Sequence, residues 1–143
     1  MKKLILAALL ATFAAGAAAA DKISFGVSAT YPPFESMDAS NKIVGFDIDL
    51  ATALGKQMQA DCTFTNHAFD SLIPALKFKK YDAVISGMDI TPEREKQVSF
   101  TEPYYANSAL VIAKKDTFKS FDDLKGKRIG MENGTTHQKY LQD

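Results

Sequence analysis

From Lys22 onward, short apolar runs of period two alternate with longer runs of helical period, and this alternation constrains the fold more than any other feature. Lys22–Ser28 places Ile23, Phe25 and Val27 on one face, the pattern of a half-buried strand. Two prolines bar helix from Tyr31-Pro32-Pro33-Phe34 and impose an extended or turn geometry. From Asp47 the period changes: Ile48, Leu50, Ala51, Leu54 and Met58 trace one helical face, with Asp47 as its N-cap. Cys62–Asn66 reads as a second strand. Phe69, Leu72, Ile73 and Leu76 then fall at i, i+3, i+4 and i+7, and Asp70 sits in the first turn, where the helix dipole favours an acid. Tyr81–Ser86 is a third strand, and Thr91 caps a helix that has Pro92 at its first position. Beyond it come a continuous buried strand at Ala109–Ala113, a short helix Phe121–Lys125 capped by Ser120, and a strand Arg128–Met131. A further helix opens at Gly134-Thr135-Thr136.

Alternation at this spacing defines an α/β domain with a largely parallel sheet. Such sheets bind ligands beyond the carboxyl ends of their strands. The rule singles out Ser28–Tyr31, Phe69, Ser86–Asp89 and Asn133–Thr136.

Residues 1–20 differ in kind. Met1-Lys2-Lys3, the apolar stretch Leu4–Phe13 and the small residues Ala18-Ala19-Ala20 are the three parts of a secretory signal peptide. The apolar stretch is half the length of about 20 residues needed to span a bilayer. Removal of this segment takes two of the 17 basic residues and no acids, leaving 15 basic against 17 acidic. That slight acidic excess argues against nucleic acid or a membrane surface as partner, since both need basic excess. The single cysteine, Cys62, is expected as a buried thiol entering the core. One cysteine with His67 and His137 shows no metal-ligand spacing, and no cofactor motif appears.

The chemistry concentrates at Ser86-Gly87-Met88-Asp89-Ile90-Thr91-Pro92-Glu93-Arg94. Gly87 permits close backbone approach, and Arg94 can turn its planar fork toward an anion near the helix start. A carboxylate fits that arrangement; a surface arginine paired with Glu93 or Glu95 is the competing reading. Tyr31 and Phe69 lie at strand ends and can sandwich a flat cation, worth about 0.5–2 kcal/mol per contact. For Phe69 the competing reading is the first core residue of its helix. A cationic ligand also needs a desolvated acid. Glu35, Asp47, Asp49 and Asp89 surround this edge in sequence, with Asp89 foremost.

Five segments occur in order: Tyr-Pro-Pro-Phe-Glu (31–35), Gly-Phe-Asp-Ile-Asp-Leu (45–50), Asp-Ile-Thr-Pro-Glu-Arg (89–94), Phe-Thr-Glu-Pro-Tyr (100–104) and Leu-Lys-Gly-Lys-Arg-Ile-Gly (124–130). Together they resemble the signature segments of the periplasmic polar amino-acid-binding proteins of ABC importers, nearest to the arginine-binding, lysine/arginine/ornithine-binding and histidine-binding members. The resemblance implies a periplasmic-binding-protein-like α/β fold, two lobes closing on a ligand about a hinge. Residues 21–108 would form a nearly complete lobe one, and residues 109–143 the start of a truncated lobe two. It implies a non-enzymatic, monomeric periplasmic receptor, without cofactor, that delivers a cationic amino acid, arginine foremost, to membrane importer subunits.

By the same resemblance, Arg94 holds the ligand α-carboxylate, aided by the backbone of Ser86, Gly87, Met88 and Asp89 and by Thr136. Tyr31 and Phe69 flank the ligand side chain, and Asp47 reaches its basic terminus. Three departures stand out. Ser28 replaces an aspartate common among basic-amino-acid binders, Asp89 replaces a serine, and Gly55 replaces the disulfide partner of Cys62. The acid that holds the α-ammonium lies past Asp143, so a half-site is expected to bind weakly, since losing a buried charged partner costs about 2–5 kcal/mol. Two other readings compete: a dehydratase-like periplasmic enzyme using Glu35 or Asp89 as acid or base, and a non-functional truncated remnant with exposed apolar surface.

Overall fold

A computed structural model describes residues 20–142; the segment expected to be a signal peptide lies outside them apart from Ala20. In chain order the elements are β1 (Asp21–Val27), β2 (Thr30–Tyr31), β3 (Glu35–Met37), β4 (Ile43–Val44), α1 (Phe46–Gln57), β5 (Ala60–Asn66), α2 (Leu72–Lys77), β6 (Ala83–Val84), α3 (Pro92–Glu95) and α4 (Thr136–Gln142). Single 3-10 turns cover Phe69–Ser71 and Phe121–Leu124.

The period-two run of β1 makes it the centre of a parallel sheet of order β5-β1-β6. Ile23 pairs with Cys62, Phe25 with Phe64 on one side and Ala83 on the other. Parallel neighbours require crossover connections, and α1 and α2 supply them. The expected strand Tyr81–Ser86 shortens to Ala83–Val84, although Asp82 N–H to Ser24 O (2.9 Å) and Ile85 N–H to Gly26 O (3.2 Å) continue its ladder. Alternate residues of β1 face opposite ways. Phe25 and Val27 join Ile48, Ala51 and Ile85 under α1, whereas Gly26 faces the ring of Tyr81 in the cluster of Leu72 and Ala75 under α2.

A second, antiparallel sheet of order β2-β3-β4 goes unsignalled in the sequence. It carries Glu35 beneath the carboxyl ends of the parallel strands, and Asp38 closes its second turn by accepting the amides of Ser40 (2.8 Å) and Lys42 (2.9 Å).

Several expectations are corrected. The buried stripe of α1 is Asp47, Ile48, Ala51 and Gly55; Leu54 and Met58 are half exposed. Small residues decide the rotation, because Ala51 and Gly55 let the helix settle onto Cys62, whose thiol donates to Ala51 O at 3.4 Å. Asp47 is not the N-cap: Gly45 is, and Asp47 lies in the first turn. Cys62 is only partly buried, since β5 is an edge strand. Ala109–Ala113 and Arg128–Met131 form no strand, and Leu110 (87% exposed) and Ile112 (94%) lie open. A strand exists only where a neighbour satisfies its amides and carbonyls, and none runs beside either segment among the described residues.

Candidate functional site

The carboxyl ends of β1, β5 and β6 converge, as the strand-end rule requires. Thr91 adopts extended geometry and its hydroxyl accepts the Arg94 amide (3.3 Å), while Pro92 starts α3. This cap aims Arg94 back along its own loop. One guanidinium nitrogen donates to Asp89 O at 2.6 Å and the other terminal nitrogen to Gly134 O at 2.9 Å. The guanidinium carbon stands 5.5 Å from the centre of the Phe69 ring, a cation–π arrangement. Burial pulls the Arg94 pKa below its ordinary value, and the Asp89 charge opposes that pull. An arginine stays charged under such a shift.

A cavity of about 220 Å³ opens at this point, lined by Tyr31, Phe69, Ser86, Gly87, Asp89 and Arg94. Thr136 closes it from the far segment, its hydroxyl donating to the Asp89 carboxylate. Tyr31 stacks on Phe34 (centroids 5.1 Å, 22°), its hydroxyl accepts the Asn107 amide (2.7 Å), and its ring rests against Gly87. At Gly87 φ is +50°, and an added Cβ would stand 3.2 Å from that ring, so the position takes glycine for space and for conformation.

Two of the expected positions lie off this cavity. Met88 packs against the cluster of Leu72 and Tyr81 and lines a neighbouring cavity of about 620 Å³. Asp47 is fully buried behind the wall, accepting the Gly87 amide (3.0 Å) and the Tyr104 hydroxyl (2.9 Å). Burial, and then the Asp47 carboxylate, push the Tyr104 phenol upward.

Glu132, which the sequence does not mark, and Glu35, one of the acids that surround this edge in sequence, also line the cavity. Glu132 accepts from Ser28 Oγ (3.2 Å) and Thr30 Oγ1 (2.9 Å), which ties the far segment to the end of β1. It stands one residue before the stretch that the strand-end rule marks. Glu35, 1% exposed, accepts from Ser86 Oγ at 2.5 Å, and that hydroxyl in turn accepts the Ser28 amide (3.0 Å). Desolvation pushes the Glu35 pKa up to about 8; the Ser86 bond works against this, and Asp47 and Glu132 add to it. No cluster of three or more metal-ligating side chains occurs among the described residues.

One cation and three acidic side chains thus line a small cavity at the strand ends of a parallel α/β sheet. The chain belongs to the bacterial extracellular solute-binding proteins, family 3, whose sequence profile matches residues 23–138. It is 83% identical over 143 residues to the ABC transporter arginine-binding protein 1 of Escherichia coli K12, covering all of this chain and 59% of that protein. Among solved structures it resembles a Salmonella typhimurium periplasmic binding protein described for its high arginine specificity (TM-score 0.84, 64% identity, 87% of this chain and 56% of that one). It also resembles the arginine-bound form of domain 1 of ArgBP from T. maritima (TM-score 0.57, 45% identity, 59% of this chain and 67% of that one). The chain thus spans about three-fifths of the length of the E. coli relative.

Proposed function

We propose that this chain carries the arginine-gripping half of a periplasmic receptor that captures a cationic amino acid, L-arginine foremost, and hands it unchanged to an ABC importer. The observation that carries the reading is the charge pattern: Arg94 lines one 220 Å³ cavity together with Glu35, Asp89 and Glu132. A zwitterion with a cationic side chain complements that set. Its carboxylate meets the Arg94 fork, where bidentate charge-assisted bonds form. Its ammonium and guanidinium meet the carboxylates, and its flat side chain lies against Phe69 and Tyr31. A cavity below the usual 300–1,000 Å³ of drug-sized sites suits a free amino acid.

The names of the relatives support arginine as ligand and the periplasm as compartment, and the arginine-bound domain 1 of ArgBP supports binding by one lobe. The leader-like residues 1–20 agree with export. In this reading residues 21–108 form lobe one and Ala109 onward leads into lobe two.

Isothermal titration calorimetry tests it. L-arginine is expected to give saturable 1:1 heat, which Arg94→Ala removes for every amino acid and Phe69→Ala weakens chiefly for arginine. An Arg94→Ala chain that binds within about twofold of the parent contradicts the carboxylate assignment; every 1.4 kcal/mol is about tenfold, and a lost charge partner is worth more. A new product by mass spectrometry after incubation with the ligand would instead mark an enzyme.

A further inference from the structure

Beneath the cavity lie two buried acids with an unresolved account. Glu35 (1% exposed) and Asp47 (0%) each use one oxygen: Glu35 Oε1 accepts from Ser86 Oγ at 2.5 Å, and Asp47 Oδ2 accepts from the next residue, Gly87 N, at 3.0 Å. The Asp47 amide donates to Phe34 O at 3.0 Å, which pins Asp47 beside the residue preceding Glu35. The two remaining oxygens, Glu35 Oε2 and Asp47 Oδ1, are both buried and both lack a donor. A buried carboxylate oxygen without a donor is costly while its group is ionised, and a proton on Glu35 Oε2 removes that cost.

We infer that buried Glu35 holds a proton under the ligand cavity, and that arrival of a cationic side chain expels it, so that cation capture is coupled to proton release. The inference rests on the proposed ligand class. Glu35 is the member that lines the cavity. Around it stand Ser86 and Gly87 after β6, the Tyr104 hydroxyl on Asp47, the Glu132 carboxylate and the His137 imidazole from the far segment, and Arg94 and Asp89 on the same cavity lining. Burial, with Asp47 and Glu132 as neighbours, pushes Glu35 up to about 8, so it holds its proton at pH 7. A guanidinium seated in the same cavity favours the ionised carboxylate, by about 1–3 pKa units for an opposite charge in close range. The O–H bond of Glu35 breaks, its electron pair stays on oxygen, and the proton passes to the buffer. A ligand of the same shape without the positive charge leaves the proton in place.

Two measurements on the full chain decide this. L-arginine is titrated calorimetrically at pH 7 in buffers of different ionisation enthalpy, with L-citrulline as the uncharged comparison. The dependence of observed heat on buffer is expected to give about half a proton or more released per arginine and none for citrulline. Infrared difference spectra of the ligand-free chain are expected to show the carbonyl band of a protonated carboxylic acid at pH 7, absent in Glu35→Gln. Saturable arginine heat with no buffer dependence overturns the coupling. Absence of the acid band overturns the proton on Glu35. No arginine heat at all, with the band present, sinks the functional reading and the coupling with it but leaves the protonated Glu35 standing.

Discussion

At residue scale, Glu35 shows how position overrides residue type. An exposed glutamate is ionised at neutral pH; under Ser86 and beside Asp47, desolvation holds this one protonated up to about 8. The sign of the consequence is fixed. The folded chain retains the proton more tightly than the unfolded chain, whose glutamate titrates near its ordinary value of 4.5. Stability from Glu35 is therefore complete below about pH 4.5 and is lost as pH rises through about 8. Thermal melts are expected to fall between pH 5 and pH 8 in the parent chain and to flatten over that window in Glu35→Gln; parallel curves for the two chains would contradict the assignment. In the sequence Glu35 is one acid among several near the right edge. Its burial comes from β3, an element of three residues, too short for periodicity to announce.

At the scale of elements, what was legible was local. The Thr91 cap, Pro92 at the first position and the Ser120 capping box are written within four residues of where they act. The alternation from β1 to β6 likewise exposes the parallel sheet. Illegible features depend on partners. Which face α1 buries turns on Ala51 and Gly55 meeting Cys62, a contact across the crossover rather than along the helix. Gly26 is a comparable case on the opposite face of the sheet: an added methyl would collide with the ring of Tyr81, whose hydroxyl is tied to Leu72 O at 2.7 Å. Gly26→Ala is expected to lower unfolding stability by about 1–3 kcal/mol through overpacking, read by urea denaturation. A loss below about 0.5 kcal/mol would mean that Tyr81 yields freely and the cluster under α2 is loose.

At the scale of the whole molecule, the site joins distant parts of the chain. Arg94 reaches Gly134, Asp89 receives Thr136, and Ser28 reaches Glu132, so residues 132–136 sit over the strand ends of the parallel sheet. Between these parts the apolar run Ala109–Ala113 stands open, with Leu110 and Ile112 almost fully exposed. Exposed apolar surface of this kind binds hydrophobic dyes and drives association. Replacing both residues by lysine is expected to lower dye fluorescence and raise the concentration at which the chain aggregates; unchanged values would show that the run is covered in solution. The grip on the ligand carboxylate is tested most directly by removing the two partners separately and together, with L-arginine and its decarboxylated form agmatine titrated against the parent chain and Arg94→Ala. Loss of the carboxylate is predicted to weaken parent binding by about 30-fold or more, with little further loss for agmatine when Arg94 is also gone. Agmatine binding the parent chain within about twofold of L-arginine would contradict the account.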